Sequence, residues 1–321
     1  MTKCCIIYNE PSIGALGDEL DVIEQVAHVE QGLLQLGIDV YRKGITNNFM
    51  NEVNDIINTK PDFVYNLVES INNKGELNYF VPALLNLNKI PYAGNSHEAL
   101  FITTSKVTAS HMMKLAGIPN PECFLPSEAH LLKMETKYII KPIWEDGSLG
   151  ITIDSVFTAN QHSENKLKQL SDSHWFIEEY IDGREFNISI IDKDGCPEVM
   201  PVAEIVFMGY DEWRPKIIDY KAKWDEGSFE FDNTVRKFAN EKAEPVLMKN
   251  LRQAAIDCWS LFKLKGYARV DMRVDSANNI YVIEVNANPC IHPNSGFIAA
   301  TEAAGYGFAE VIQRIINDLN I

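Results

Sequence analysis

The stretch GYARVDMRVDSANNIYVIEVNANP, Gly266 to Pro289, decides how the rest of the chain is read. Two runs of period-2 alternation flank Asp275, Ser276, Ala277, Asn278 and Asn279, all turn formers, and so predict an antiparallel hairpin. If Val274 pairs with Tyr281, Asp271 falls opposite Glu284 and Arg269 opposite Asn286. Period 2 then puts these four side chains on one face. Ala268, Val270 and Met272 face the other way, paired with Ile283 and Val285. Two carboxylates directly across a ladder sit about 5 Å apart and repel unless a cation lies between them. A divalent metal answers that repulsion, and an all-oxygen set of Asp, Glu and Asn suits magnesium. A solvated polar face with Arg269 as the compensating cation explains the same residues, and the hairpin alone leaves both readings open.

Upstream, KPIWEDGSLGI (Lys141 to Ile151) places a lysine at a strand end before a Gly-rich, Ser-containing loop. Such a loop can wrap phosphates with backbone N–H groups, although the GK[ST] order of a Walker A loop is missing and an ordinary hairpin turn reads as well. The Ile177 to Phe186 segment gathers Glu178, Glu179 and Glu185 around a turn at Asp182-Gly183. These carboxylates suit a nucleoside amino group and ribose hydroxyls, or simply a charged surface hairpin. Other strands are expected at Tyr138 to Pro142, Trp175 to Ile181, Glu185 to Ile191 and Val199 to Phe207. The last two would be joined by a turn over Asp192 to Gly195.

The N-terminal third alternates strands and helices. Cys4 to Tyr8 reads as a strand, followed by a loop over Pro11 to Gly17. A helix through Ile23 to Leu36 stops at Gly37, and a second strand starts at Ile38. Pro61 to Val68, a helix over Val81 to Leu87 and a short strand at Ile90 to Gly94 complete a parallel α/β unit with both faces covered. A helix over Thr104 to Ala116, ended by Gly117, leads into the strand-rich remainder. The expected divisions are 1–94, 95–182 and 183–321, an α/β unit followed by two α+β units.

The 321 residues carry 29 Lys plus Arg against 45 Asp plus Glu, a net charge of −16. No basic run balances this, which argues against nucleic acid and against anionic lipid. Six sparse cysteines without CxxC spacing suggest reduced thiols and no structural zinc. No run is long and apolar enough for a leader or a membrane helix, so a cytoplasmic protein is expected. His28, His97, His111, His130, His162 and His174 show no ligand spacing.

Taken in order, KP…GSxG, EExIxGRE, YxAK, ARxD and ExNxxP resemble the ATP-grasp superfamily, most closely the D-alanine–D-alanine ligases, across nearly the whole chain. The resemblance implies an ATP-grasp fold whose central and C-terminal α+β domains clasp ATP. It implies Lys106 and Lys141 on the α- and β-phosphates, Ser148 in the phosphate-covering loop, and Glu178, Ile181 and Glu185 around the nucleoside. Lys223 of Asp219 to Trp224 would reach the γ-phosphate. Asp271, Glu284 and Asn286 would hold magnesium, with manganese as an alternative. Arg269 would stabilise the reacting centre, and Ser295 would bind an acceptor carboxylate. The implied activity is carboxylate–amine ligation through an acyl phosphate, and the implied partners are small amino or carboxylic acids and a second copy in a homodimer.

The sequence departs from the family at the substrate end. The Glu-bearing segment after the first strand is replaced by Asn9 to Gly14, with Asp18, Glu19 and Asp21 the nearest acids. A His-Gly segment is replaced by Asn66 to Ser70. Pro289-Cys290-Ile291-His292 stands where Pro-Gly is usual, Trp224 where a loop-locking Tyr is usual, and Gly147 where its Ser partner is usual. A different substrate pair is therefore expected. Glu69 is the candidate substrate contact, against a helix-start role favoured by the dipole. Cys290 and His292 are expected to line the acceptor pocket rather than act as a nucleophilic pair. An acceptor on a carrier protein or peptide, and a non-catalytic nucleotide-binding protein, are the competing readings.

Overall fold

The structure is a computed structural model that describes residues 2–12, 14 and 18–319; the side chains of Asp18, Glu19 and Asp318 are outside that description. Most of the expected Pro11 to Gly17 loop, and the candidate acids Asp18 and Glu19, therefore lie outside the described residues.

Alternation along the first strand, Lys3–Asn9, sends Cys4 and Ile6 into one core and Cys5 and Ile7 into another. The strand therefore needs cover on both faces. It sits inside a parallel sheet, between Asp39–Ile45 and Phe63–Leu67, with Tyr92–Ala93 at the far edge. One face is covered by the helices Phe49–Thr59 and Phe80–Leu87. The other is covered by Asp18–Gln35 together with the C-terminal helices Gly296–Ala303 and Phe308–Ile316. The two ends of the chain thus share one core. The Phe49–Thr59 helix escaped the sequence reading, although Phe49, Val53 and Ile56 repeat at helical spacing.

A six-stranded antiparallel sheet has the Arg184–Lys193 strand at its centre, flanked by Ala203–Phe207 and Tyr267–Val274, with Thr234–Phe238 and Ile280–Asn286 at the edges. The expected single return strand over Val199 to Phe207 is two strands. Cys196–Val199 folds back on Arg184–Lys193 through Asp194-Gly195, whose positive φ values (55° and 84°) suit a tight hairpin, and Ala203–Phe207 pairs with the same strand further along. Helix Pro245–Leu261 packs its buried face of Leu247, Met248, Leu251, Ala255 and Cys258 against this sheet. At Gly183 a Cβ would lie 2.0 Å from the Val274 carbonyl oxygen, so only glycine lets the two turns cross.

A smaller antiparallel sheet, in the order Cys123–Phe124, Trp175–Glu179, Lys137–Pro142, Val156–Thr158, faces the large one. The helix expected from Thr104 starts at Lys106. Thr104 closes a separate helix, His97–Thr104, and Ser105 caps the next one by accepting from the Thr108 N–H. Among the described residues, no helix is long and apolar enough to cross a membrane.

Candidate active site

The decisive hairpin forms as a ladder between Tyr267–Val274 and Ile280–Asn286. Arg269 opposes Asn286 and Asp271 opposes Glu284, as the sequence predicts. The pairing assumed at the turn is corrected by one residue: Val274 faces Ile280, Arg273 faces Tyr281, and Met272 faces Val282 instead of Ile283. The register shift between Asp271 and Met272 absorbs the difference as a bulge that leaves Ile283 without a partner. Ile283 then lines the cleft instead of pairing on the apolar face, so the polar constellation is right and the path to it is not.

That constellation lines a cleft of about 2210 Å³ between the two antiparallel sheets. Arg269 grips Asp271 with two bonds, Nε to Oδ1 and Nη2 to Oδ2, each 2.8 Å, and Asn187 Nδ2 donates to the same Oδ1 at 2.8 Å. Across the ladder, Lys106 Nζ lies 3.0 Å from Glu284 Oε1 and 3.0 Å from Asp146 Oδ1, and donates to the Glu145 carbonyl at 2.7 Å. Burial opposes charge on Glu284, but Lys106, Lys223 and Arg269 outweigh it and hold the carboxyl below the usual range. Burial likewise works against the Lys106 ammonium, and Asp146 and Glu284 more than offset it, so its pKa is raised.

Lys141, at the end of its strand, is ion-paired with Glu178. Burial still pushes Glu178 upward against that lysine. Glu185 is also raised by burial, with Arg273 opposing. Arg273, a residue the sequence reading passed over, organises this end: Nη1 donates to Glu185 Oε2 at 2.9 Å, Nε to the Ile181 carbonyl at 3.1 Å, and Nη2 to the Lys216 carbonyl at 2.6 Å. Its position two residues beyond Asp271 was the available signal, since period 2 puts it on the same face.

The two loops expected to cover the phosphates meet. Gly147, Ser148 and Gly150 all have positive φ (67°, 63° and 75°), which curls the loop tightly. Ser148 Oγ donates to the Ile218 carbonyl at 2.7 Å, and the Trp224 indole N–H donates to the Gly147 carbonyl at 3.0 Å. Two residues that depart from the family pattern therefore bond to each other, with a backbone carbonyl taking the place of a side chain. Lys223, the chain neighbour of Trp224, lines the cleft, and its ammonium has no hydrogen bond or ion pair among the described residues. Burial and the neighbouring Arg269 push its pKa down.

At the other end, Glu69 does not start a helix. It sits in the loop after Phe63–Leu67, its N–H donates to Asn9 Oδ1 at 2.8 Å, and it lines the cleft. Cys290 Sγ lies 3.3 Å from Asp21 Oδ2, and burial together with Asp21 pushes the thiol up. The His292 Nδ1 accepts from the Asn294 N–H at 3.1 Å, so Nε2 carries the proton and donates to Glu24 at 2.7 Å. Both imidazole nitrogens thus have hydrogen-bond partners other than the thiol, and Nε2 also lies 3.8 Å from Asp21 Oδ1. Ser295 caps helix Gly296–Ala303, its Oγ accepting from the Ile298 N–H, and lines the cleft.

The donor set fits magnesium by its chemistry: two opposed carboxylates and an amide, all hard oxygen donors, beside room for phosphates. Among the described residues no group of three or more His, Cys, Asp or Glu side chains forms a metal cage, so an ion here would also depend on ligand oxygens.

The family model described as D-ala D-ala ligase C-terminus matches residues 127–317, which contain every one of these site residues except Lys106 and the Asn9, Asp21, Glu24 and Glu69 edge. The chain belongs to the D-Ala–D-Ala ligase family. Among curated relatives, it is 28% identical over 296 residues to the D-alanine–D-alanine ligase of Aquifex aeolicus, covering 90% of this chain and 92% of that one. An uncharacterised protein of Sinorhizobium fredii is 26% identical over 257 residues, covering 79% of this chain and 73% of its own length. In fold, the ligase family is represented by the Bacillus anthracis D-alanine–D-alanine ligase complexed with ATP (TM-score 0.74, 20% identity, 100% and 98% coverage). The VanG D-Ala:D-Ser ligase of Enterococcus faecalis superposes equally well (TM-score 0.74, 19% identity, 99% and 99% coverage). The ATP-grasp architecture expected from the motifs is thereby established.

Proposed function

We propose that this member of the family is an ATP-dependent carboxylate–amine ligase acting on an amino-acid or small-acid pair other than two D-alanines. The observation that carries the reading is the convergence of Lys106, Lys141, Lys223 and Arg269 with Asp271, Glu284 and Asn286 on one cleft. A carboxylate substrate attacks the γ-phosphate in line, releasing ADP and leaving an acyl phosphate, and an amine then displaces phosphate to form the amide. Such transfer rests on positioning and charge stabilisation.

Lys106 and Lys141 hold the α- and β-phosphates, whose oxygens compete for ammonium groups otherwise bonded to Glu284 and Glu178. Glu178 and Glu185 serve the nucleoside, and the Ile181 backbone serves the base edge, with Arg273 fixing Glu185 and the Ile181 carbonyl. Asp271, Glu284 and Asn286 would hold magnesium, which supplies neutralisation of the β- and γ-phosphate oxygens when bound. Lys223 meets the γ-phosphate and Arg269 the charge developing at the acyl carbon. The loops joined at Trp224 and Gly147, with Ser148, keep water from the acyl phosphate. Glu69 contacts the first substrate and Ser295 the acceptor carboxylate. The lost Glu-bearing and His-Gly segments support a changed pair.

The test is phosphate release from ATP with pools of D- and L-amino acids, with and without magnesium. Amide-forming turnover with at least one pool is expected. ATP binding that ignores magnesium, together with no turnover in any pool, overturns the reading in favour of a non-catalytic nucleotide binder.

A further inference from the structure

Arg236 stands in the edge strand Thr234–Phe238, opposite Ile205 of the neighbouring strand, and lines the cleft along with Arg269, Ser295 and Gly296. Its Nη2 donates to the Asn294 carbonyl at 3.4 Å. Its Nη1 lies 3.5 Å from the point a Cβ on Gly296 would occupy, so the guanidinium lies across the entry to helix Gly296–Ala303.

The neighbouring arginines and lysines of the nucleotide end are answered by carboxylates: Arg269 by Asp271, Arg273 by Glu185, Lys106 by Asp146 and Glu284, Lys141 by Glu178. Arg236 forms no ion pair with a carboxylate among the described residues, and Glu302 acts on it only at longer range. Surrounding protein and the like charge of Arg269 push its pKa down, while its side chain stays exposed at the mouth of the cleft. Among the described residues, Lys223 is the other cation of the cleft without an ion pair, and the γ-phosphate answers it. Ser295 and the adjoining N–H groups answer the single α-carboxylate of any amino-acid acceptor. That leaves Arg236, with a fork suited to bidentate capture of a carboxylate, open to a second acidic group beside the α-carboxylate site.

Resting on the ligase reading, we propose that the acceptor amine carries a second acidic group, a side-chain carboxylate, and that Arg236 binds it. Arg236 is then the residue that sets acceptor specificity, and the acceptor class is an acidic amino acid.

The experiment compares aspartate with asparagine and glutamate with glutamine as acceptors, each racemic, at a constant pool of racemic donor amino acids, scoring the amide product by mass. A kcat/KM at least tenfold higher for each acid than for its amide is expected. R236Q should collapse that ratio to near one, and R236K should retain part of it. ATP titration of each variant checks that the fold is kept. Amides used as well as acids, or a ratio that R236Q leaves intact, overturns the inference while the ligase reading stands. A loss in R236Q that is equal for acids and amides also overturns it, since a structural role predicts that pattern. No product with any acceptor overturns the ligase reading and this inference with it.

Discussion

The two ends of the cleft settle charge in opposite ways. At the nucleotide end, full charges meet full charges: Lys141 pairs with Glu178, Arg273 with Glu185, Arg269 with Asp271 and Lys106 with Glu284. At the first-substrate end, Asp21 faces Gln25 and the Cys290 thiol, Glu24 bonds the His292 imidazole, and Asn9 bonds the Glu69 and Ser70 N–H groups. The difference is physical as well as compositional. Paired charges can be handed from one another to phosphate and metal with little net change in burial, whereas the neutral contacts fix the shape of a pocket. A protein can therefore keep its nucleotide chemistry while its substrate end is rebuilt.

The charge pairs are the place where this contrast breaks most easily. E284Q should lower turnover by on the order of 10³, because one metal-ligand charge is gone. The fold should survive, since Lys106 keeps Asp146 at 3.0 Å. Steady-state rates alongside thermal unfolding measure both, and near-normal turnover would remove the metal assignment. R273M acts on stability instead. It strands Glu185, which is 6% exposed, and breaking one side of a buried pair costs about 3–5 kcal/mol. Denaturant unfolding should show that loss, and adding E185Q to the same chain should restore part of it, since both partners are then uncharged.

How far each end was legible from sequence follows from the same contrast. Asp271, Glu284, Arg269 and Asn286 lie on two strands joined by a five-residue turn, so period 2 alone places them together. The bulge at Ile283 was not legible, because it depends on how the hairpin packs against Arg184–Lys193 and the Pro119 carbonyl, which accepts from the Val282 N–H at 2.9 Å. Arg273 was within reach of the same periodicity, but its partners at Ile181, Glu185 and Lys216 are scattered along the chain. The substrate end was hardest. Asn9, Asp21, Glu69 and Cys290 come from four separate segments, and only the shared core of the N-terminal sheet and C-terminal helices brings them together. The roles proposed there rest on the resemblance, because no local pattern implies them.

The loop contact between Trp224 and Gly147 sharpens the comparison with a smaller effect. W224F keeps the ring but removes the indole N–H that reaches the Gly147 carbonyl, a neutral bond worth about 1 kcal/mol, so amide formation should fall roughly fivefold. Phosphate release should fall less than amide formation, because a looser cover admits water to the acyl phosphate. W224A, which also removes the packing, should widen that gap. Equal losses in both products would mean that the contact serves stability alone.

The smallest expected effect is a proton balance at Lys223. Its pKa is pushed below the ordinary lysine value of 10.5 by burial and by Arg269, and an incoming γ-phosphate favours the charged form, raising it again. Between the lowered and the raised value, the ATP complex binds more protons than the free protein. ATP binding should therefore take up a fraction of a proton on the alkaline side, and affinity should weaken as pH rises through that window, with no such slope below it. Calorimetric titrations at one alkaline pH, in two buffers of different ionisation enthalpy, measure the uptake directly. K223M should abolish it while Lys106 and Lys141 still bind the α- and β-phosphates. Uptake that persists in K223M would move the titrating group elsewhere in the cleft and take the γ-phosphate contact away from Lys223.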